Sequence, residues 1–202
     1  MTVETPILVL ASASAARAGM LARAGVVCTR VPAQVDETRI KSRMRQHGEA
    51  VEAVTEALAQ AKAEAVARTL PGALVLGADQ ILVCDDRWHD KPRDRAGARA
   101  QLLALKGRNH DLVTSVVVVS GGSRLWRHTE RARLAMRDFS ESFLDAYLDR
   151  VGEAAFGAVG AYQLEGEGVQ LCRHVEGDFF TILGLPLLPL LEYLRQAGVL
   201  RS

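Results

Sequence analysis

Five charged side chains have the types and positions that could do chemistry together: Arg17, Glu37, Lys62, Asp79 and Lys91. A carboxylate can activate water or hold a divalent cation, while lysine and arginine bind phosphate groups. Each of the five also has an ordinary explanation as a solvated side chain. The residue types alone are therefore compatible with a phosphoanhydride hydrolase but do not single one out.

The acid at the centre of this set is Asp79, which follows the apolar run Leu74–Leu76 and the small pair Gly77-Ala78. The run predicts a buried strand that stops at the small pair and presents Asp79, then Gln80, at its carboxyl end. Lys91 follows a predicted hairpin whose turn is Asp85-Asp86. Because open α/β proteins bind ligands at the carboxyl ends of strands, we expect Asp79 and Lys91 to meet an anionic substrate there.

A second anion site is predicted near the amino terminus. Strand Ile7–Leu10 leads through a loop with Ser12 and Ser14 to a helix, Ala15–Ala24, that carries Arg17 in its first turn. Free N–H groups and hydroxyls at a helix start bind anions, and arginine adds a fork of donors. The alternative is that Ser14 merely caps the helix and Arg17 is solvated.

The remaining pattern alternates strands and helices early in the chain and places hairpins later. This predicts an α/β protein with a mixed, twisted sheet and two lobes around a cleft. An acidic loop at Pro32–Thr38 carries Asp36 and Glu37, two carboxylates that could hold Mg²⁺. The other predicted strands are Val26–Val31, Ile81–Val83, His110–Ser120, Leu125–Met136 and Val169–Val175; the helices are Ile40–His47, Glu49–Thr69, Arg95–Leu105, Glu141–Arg150 and Leu187–Ala197.

Composition excludes several classes of function. A net charge of +1 gives no electrostatic case for binding nucleic acid or an anionic membrane. No apolar run is long enough to span a bilayer, and we expect no signal peptide. The cysteines Cys28, Cys84 and Cys172 fit neither a zinc site nor a disulfide framework, which favours a cytoplasmic location.

Most common catalytic signatures are missing from the sequence. No glycine-rich dinucleotide fingerprint follows a strand, and no Walker lysine loop is present. The zinc-protease pattern His-Glu-x-x-His and the serine-hydrolase pattern Gly-x-Ser-x-Gly are also absent. What remains is the set of carboxylates and cations described above.

A series of short motifs, in order and suitably spaced, resembles the Maf family of nucleoside triphosphate pyrophosphatases. The similarity runs essentially from end to end and implies a single domain over residues 1–202. The motifs are Leu10–Arg17, Val35–Glu37, Ala61–Ala63, Gly77–Gln80, Lys91-Pro92, Gly107-Arg108 with His110 and Thr114, Gly160–Tyr162 with Glu165-Gly166, and Val175–Asp178 with Gly184–Leu187.

The resemblance implies hydrolysis between the α- and β-phosphates of a nucleotide, giving a monophosphate and pyrophosphate. It makes Asp79 the base that activates water, and it assigns Glu37 and Asp79 to a Mg²⁺ or Mn²⁺ ion. It also implies a homodimer and a fold like that of inosine triphosphate pyrophosphatases. The residues expected to hold the phosphates are Ser12, Ser14, Arg17, Lys62 and Lys91.

Three positions that bear on substrate choice in the family leave the nucleobase open. Ala16 stands where the family usually has a large side chain, so one substrate contact is missing. Gln80 and Glu165 resemble the branch acting on 7-methyl-GTP, and an ionised Glu165 would accept hydrogen bonds from a guanine edge. Gly160–Tyr162 instead resembles the branch acting on dTTP and UTP. We lean toward a guanine-type substrate.

A rival interpretation from another class of function is a nucleotide-binding regulator of cell division that does not turn over its ligand. The presence of Asp79, Lys62 and Lys91 argues against it, because a protein that only binds nucleotide does not need a water-activating base.

Overall fold

The computed structural model describes residues 6–201 of the chain. Seven strands and seven α-helices occur within these residues. The strands are β1 Leu8–Leu10, β2 Thr29–Arg30, β3 Leu74–Cys84, β4 Arg87–His89, β5 Asn109–Ser120, β6 Ser123–Met136 and β7 Cys172–Glu176. The helices are α1 Ala15–Arg23, α2 Glu37–Gln46, α3 Val51–Ala67, α4 Arg95–Leu105, α5 Glu141–Val151, α6 Phe179–Ile182 and α7 Leu187–Gln196. Short 3₁₀ turns lie at Gly152–Gly157, Val159–Ala161 and Glu167–Leu171.

The strands form one mixed sheet in the order β2-β1-β3-β5-β6-β7, with β4 paired to β3. Strand β1 runs parallel to both β2 and β3, whereas β3–β4 and β6–β7 are antiparallel pairs. The predicted mixed α/β class is therefore confirmed. Within residues 6–201, no helix combines the length and apolarity needed to cross a bilayer.

The structure divides into two compact units, and the chain passes from one to the other within β3, β5 and β6 and again between Leu183 and Gly184. Of the described residues, the first unit comprises 6–79, 114–130 and 184–201, and the second comprises 80–113 and 131–183. In the first unit, Val9 and Val75 of the parallel pair pack with Ala59 and Ala63 of α3. Strands buried on both faces are continuously apolar, which explains why β1 and the start of β3 lack polar alternation.

Strand β3 corrects the prediction that the strand stops at Gly77-Ala78. It continues to Cys84, so Asp79 lies in its middle. Pairing with β1 ends at Leu76 and pairing with β4 begins at Leu82, and β3 is also hydrogen-bonded to β5 on the side opposite β1, so the small residues Gly77 and Ala78 do not end the strand. Asp79 still lies just past the carboxyl end of β1, as an α/β site requires.

Other boundaries were also wrong. The strand predicted at Val26–Val31 is reduced to β2, and the strand predicted at Val169–Val175 begins only at Cys172, after a 3₁₀ turn. Glu37 is not in a loop but is the first residue of α2, which Asp36 caps. The hairpin turn at Asp85 and Asp86 is confirmed, and both residues have the positive φ that a two-residue type I′ turn needs.

Candidate active site

One lysine joins the two carboxylates that the sequence singled out. The Lys62 Nζ atom lies 2.5 Å from Asp79 Oδ1 and 2.8 Å from Glu37 Oε1. The side chains of Lys62 and Asp79 are only 12% and 7% exposed, whereas that of Glu37 is 42% exposed. The pair is therefore held away from bulk water while Glu37 opens the cluster to solvent, and opposite charges attract more strongly where water is excluded.

The packing of α3 against β3 explains how Lys62 reaches Asp79. Lys62 lies four residues after Leu58 and four before Val66, so it shares their buried face of the helix. Gly77 lets the helix approach, because a Cβ atom at Gly77 would lie 2.0 Å from the Ala59 carbonyl oxygen. The helix thus touches the backbone of β3 two residues before Asp79.

One oxygen of the central acid has no partner. Asp79 Oδ1 accepts the hydrogen bond from Lys62, but the buried Oδ2 has no hydrogen-bond partner among residues 6–201. A buried carboxylate oxygen without a partner is costly, so natural proteins keep one mainly where function needs it. Oδ2 can accept a proton from water or coordinate a cation.

Arg17 ties the amino-terminal loop to the backbone beside Asp79. Its Nε donates to the Gly184 carbonyl at 2.7 Å, and its Nη1 donates to the Ala78 carbonyl at 2.9 Å and to Ser12 Oγ at 3.3 Å. Burial lowers the pKa of Arg17, while the negative charges of Asp79 and Glu37 oppose this shift. The idea of a solvated Arg17 is therefore wrong.

Arg17 nevertheless keeps donors for a ligand. Its Nη2 donates to no group in the described part of the chain. Ser14 Oγ accepts the backbone N–H of Arg17 at 3.3 Å, so the predicted capping of α1 is confirmed. The first unit thus brings together Ser12, Ser14, Arg17, Glu37, Lys62 and Asp79.

The other predicted site residues occupy different places. Ala16 lies half-buried in the first turn of α1. Gln80, Lys91 and Glu165 belong to the second unit, where Lys91 is exposed after β4 and Glu165 is exposed in a turn. The Gln80 amide donates to the carbonyls of Thr181 and Ile182 at 3.0 and 3.1 Å. Their roles toward substrate remain predictions.

The sequence was also compared with known proteins. A family model described as Maf-like protein matches residues 7–197 of the chain. The chain belongs to the Maf family. The end-to-end motif resemblance is thereby confirmed.

Several Maf relatives are similar over nearly their whole length. The chain is 57% identical to a nucleoside triphosphate pyrophosphatase of Paramagnetospirillum magneticum, covering 95% of this chain and 98% of that protein. It is 53% identical to a protein of the same name from Granulibacter bethesdensis, with 94% and 96% covered. It is 46% identical to a 7-methyl-GTP pyrophosphatase of Rhizobium etli, with 97% and 98% covered.

The carboxylates beside Lys62 could hold a divalent cation together with substrate phosphates. No group of three or more His, Cys, Asp or Glu side chains within residues 6–201 could hold a metal ion. Asp79 and Glu37 supply two carboxylates, and Mg²⁺ is usually bound by one or two carboxylates together with waters and substrate phosphates. The unpartnered Asp79 Oδ2 is a suitable oxygen ligand.

Sequence reasoning missed what three residues, Gly77, Ala78 and Gly184, contribute to this site. The Ala78 and Gly184 carbonyls fix Arg17, and backbone acceptors leave no signal in residue types. Gly77 had a detectable signal, because a glycine in a strand interior often marks a close approach of another backbone. Ala59 and Ala63, four residues apart on the facing helix, complete that signal.

Proposed function

We propose that this chain is a nucleoside triphosphate pyrophosphatase that acts with a divalent cation. The observation that carries the proposal is the state of Asp79: a buried carboxylate with one oxygen on Lys62 and the other without a partner. Lys62 fixes the orientation of the carboxylate, and the second oxygen can accept a proton. This is the arrangement that a general base for water needs.

The reaction is the cleavage of the bridge between the α- and β-phosphates by water. Asp79 Oδ2 takes one proton from the attacking water, whose oxygen bonds to phosphorus as the bridging P–O bond breaks. The products are the nucleoside monophosphate and pyrophosphate. Positioning and charge stabilisation are the main contributions that a protein makes to such a displacement.

The charges of the cluster explain why a metal is expected. Lys62 and Arg17 are cations and Glu37 and Asp79 are anions, so these four side chains sum to zero. A nucleoside triphosphate carries several negative charges, which a neutral cluster cannot balance. Mg²⁺ or Mn²⁺ would be held by Glu37 and by Asp79, whose Oδ2 has one lone pair for the cation and one for the proton of water, and would neutralise phosphate charge. Ser12, Ser14, Arg17 and Lys91 would hold the phosphate oxygens.

The nucleobase is proposed to be a guanine type, with 7-methyl-GTP as the first candidate and dTTP or UTP as rivals. Relatives bearing the name 7-methyl-GTP pyrophosphatase, at 45–48% identity, support this choice. Glu165 is exposed and would accept hydrogen bonds from the guanine N–H groups. Gln80, which follows Asp79 in the sequence, would act as a second specificity residue, and the small Ala16 would leave room near the substrate.

The decisive experiment measures pyrophosphate release from 7-methyl-GTP, GTP, dTTP and UTP, each with Mg²⁺, with Mn²⁺ and with chelator. We expect turnover that needs the cation and is fastest with 7-methyl-GTP. No turnover of any triphosphate at micromolar enzyme would overturn the enzymatic proposal and favour the regulator of cell division. Fastest turnover of UTP or dTTP would overturn only the choice of base.

Two properties of the whole protein complete the proposal. We expect a homodimer, as the family resemblance implies, and exposed apolar side chains such as Ile7 and Val27 offer surface for it. Light scattering after gel filtration would report a monomer mass if this is wrong. A cytoplasmic location fits the free thiols of Cys28, Cys84 and Cys172.

A further inference from the structure

The segment that carries Glu165 is anchored far more firmly than an exposed turn requires. We define the Glu165 arm as residues 158–168, all within the second unit. Its base is buried, since Gly160, Ala161 and Tyr162 all have buried side chains or backbone, whereas Glu165 at its tip is exposed. A rigidly mounted base under an exposed polar tip is how proteins present a specificity residue.

The backbone of the arm is held in a conformation that most residues avoid. Ala161 has φ of +60°, and Gly160 has φ of +83°. Left-handed backbone costs a residue with a Cβ atom about 1 kcal/mol or more, so it persists only where surrounding contacts impose it. Gly160 also packs closely on β3, because a Cβ atom there would lie 2.7 Å from Leu82. The contacts below impose this conformation.

Three side chains from three regular elements reach the base of the arm. Gln101 Oε1 of α4 accepts the N–H of Gly160 at 2.8 Å, and Tyr147 of α5 donates to the Ala161 carbonyl at 3.2 Å. His110 of β5 and Tyr162 share a hydrogen bond of 2.7 Å between Nε2 and the phenol oxygen. Three successive residues of the arm are thus each fixed by a separate element.

The His110–Tyr162 pair differs from the other two contacts because both of its members are ionisable and buried. Their side chains are 2% and 4% exposed, and their rings meet edge to face with centroids 5.7 Å apart. Burial lowers the pKa of His110 to about 4 and raises that of Tyr162 well above its usual value. Both groups are therefore neutral at neutral pH, so the hydrogen bond between them joins two uncharged side chains at the pH of the assays.

The tip of the arm is closed as well. The Gly166 N–H donates to the Gln163 carbonyl at 3.2 Å, which folds the turn around Glu165. Arg150 of α5 forms an ion pair of 2.7 Å with Glu167. The backbone that carries Glu165 is therefore tied on one side by the turn hydrogen bond and on the other by an exposed ion pair to α5.

We propose that His110 is a positioning residue for nucleobase selection, acting through Tyr162 to fix the Glu165 arm. Tyr162 and His110 touch no reacting atom in this scheme; they determine where the Glu165 carboxylate stands. The inference rests on the proposed function in one respect, since it takes Glu165 as the residue that contacts the base.

The test compares Tyr162→Phe and His110→Leu with His110→Gln, whose amide can still bond to the phenol. Tyr193→Phe, in the other unit, is the matched control for losing one phenol oxygen. Each variant is assayed for kcat and KM on 7-methyl-GTP and UTP, and for binding of the two monophosphates by calorimetry. Hydrogen exchange of peptides covering residues 158–168 reports the order of the arm directly.

For Tyr162→Phe and His110→Leu we expect base selectivity to fall about tenfold, the worth of a lost buried hydrogen bond. The loss should lie mainly in KM, amide exchange in the arm should rise, and His110→Gln should recover most of the selectivity.

Lower melting temperature with unchanged selectivity would show a structural role only and overturn the inference. If the wild type turns over no triphosphate, only the proposed function fails. The selectivity of monophosphate binding and the amide exchange of the arm then test the inference, and the positioning role is overturned if the variants change neither of them. If His110→Leu does not fold, Tyr162→Phe and His110→Gln decide in the same way.

Discussion

Gly77→Ala is the substitution that most directly tests how the fold builds the site. The added methyl carbon would lie 2.0 Å from the Ala59 carbonyl oxygen, 2.8 Å from the Ala63 nitrogen and 3.0 Å from the Ala63 Cβ atom. Two of these three atoms belong to the backbone of α3, so no side-chain rotation can relieve the clash. Helix and strand must separate by about 1 Å to restore normal contacts.

That separation also pulls Lys62 away from Asp79. A movement of about 1 Å would lengthen their 2.5 Å contact to about 3.5 Å, beyond hydrogen-bond range. At an effective dielectric of about 20, the attraction weakens by about 2 kcal/mol. Overpacking of a core adds about 1–3 kcal/mol. The total loss of stability is therefore about 3–5 kcal/mol, or a fall in Tm of roughly 6–20 °C for a chain of this size.

The activity should fall more steeply than stability alone explains. Misplacing a catalytic group by about 1 Å can cost roughly a hundredfold in rate, so we expect kcat/KM to drop by about that factor. Thermal unfolding and pyrophosphate release are measured on the same preparation. The release assay is run at 25 °C, a temperature at which the unfolding curve must show the variant to be folded. Gly157→Ala is the matched control, because a Cβ atom there would meet nothing within 4 Å.

The reasoning would be refuted by a Gly77→Ala protein whose Tm lies within 2 °C of the wild type and whose kcat/KM is within twofold. A lower Tm with unchanged kcat/KM would refute only the link from α3 packing to Lys62. Unchanged behaviour of Gly157→Ala is needed to attribute either effect to the contact between α3 and β3.

Three further predictions concern the catalytic base, the choice of nucleobase and the pH dependence of stability. Asp79→Asn should lower kcat by about a thousandfold or more yet keep nucleotide binding, because an amide cannot accept the proton of water; Asp86→Asn in the exposed hairpin turn should match the wild type, and a wild-type kcat for Asp79→Asn would refute the mechanism. Glu165→Gln should shift preference toward uracil or thymine nucleotides, since an amide both donates and accepts; an unchanged substrate order in the same panel would remove Glu165 from base selection. Burial lowers the pKa of His110 from 6.5 to about 4, so between these two pH values the unfolded chain binds a proton at His110 that the folded chain does not. Stability should therefore fall by about 3 kcal/mol as pH drops from about 6.5 to about 4, and denaturant titrations should lose this slope in His110→Gln.

The sequence predicted the class of fold and most of the regular elements. Helix α4, Arg95–Leu105, was predicted with the bounds that the structure has, because an aspartate cap and a following glycine mark its ends. The hairpin turn at Asp85-Asp86 was predicted from turn chemistry. The length of β3 was not predicted, because a strand's end depends on which neighbours continue to pair with it, and Gly77-Ala78 carries no information about β4.

For the candidate site, the sequence by itself determined the residue types and, through ordered motifs, the family. It could not determine which of those residues meet. Lys62 and Asp79 are 17 positions apart and on different elements, and only the close packing of α3 on β3 joins them. Arg17 and Gly184 are 167 positions apart, and the hydrogen bond between them holds a half-buried side chain that the sequence alone could equally place in solvent. Motifs fix which groups a site contains, whereas contacts between distant elements fix the distances and burial on which its chemistry depends.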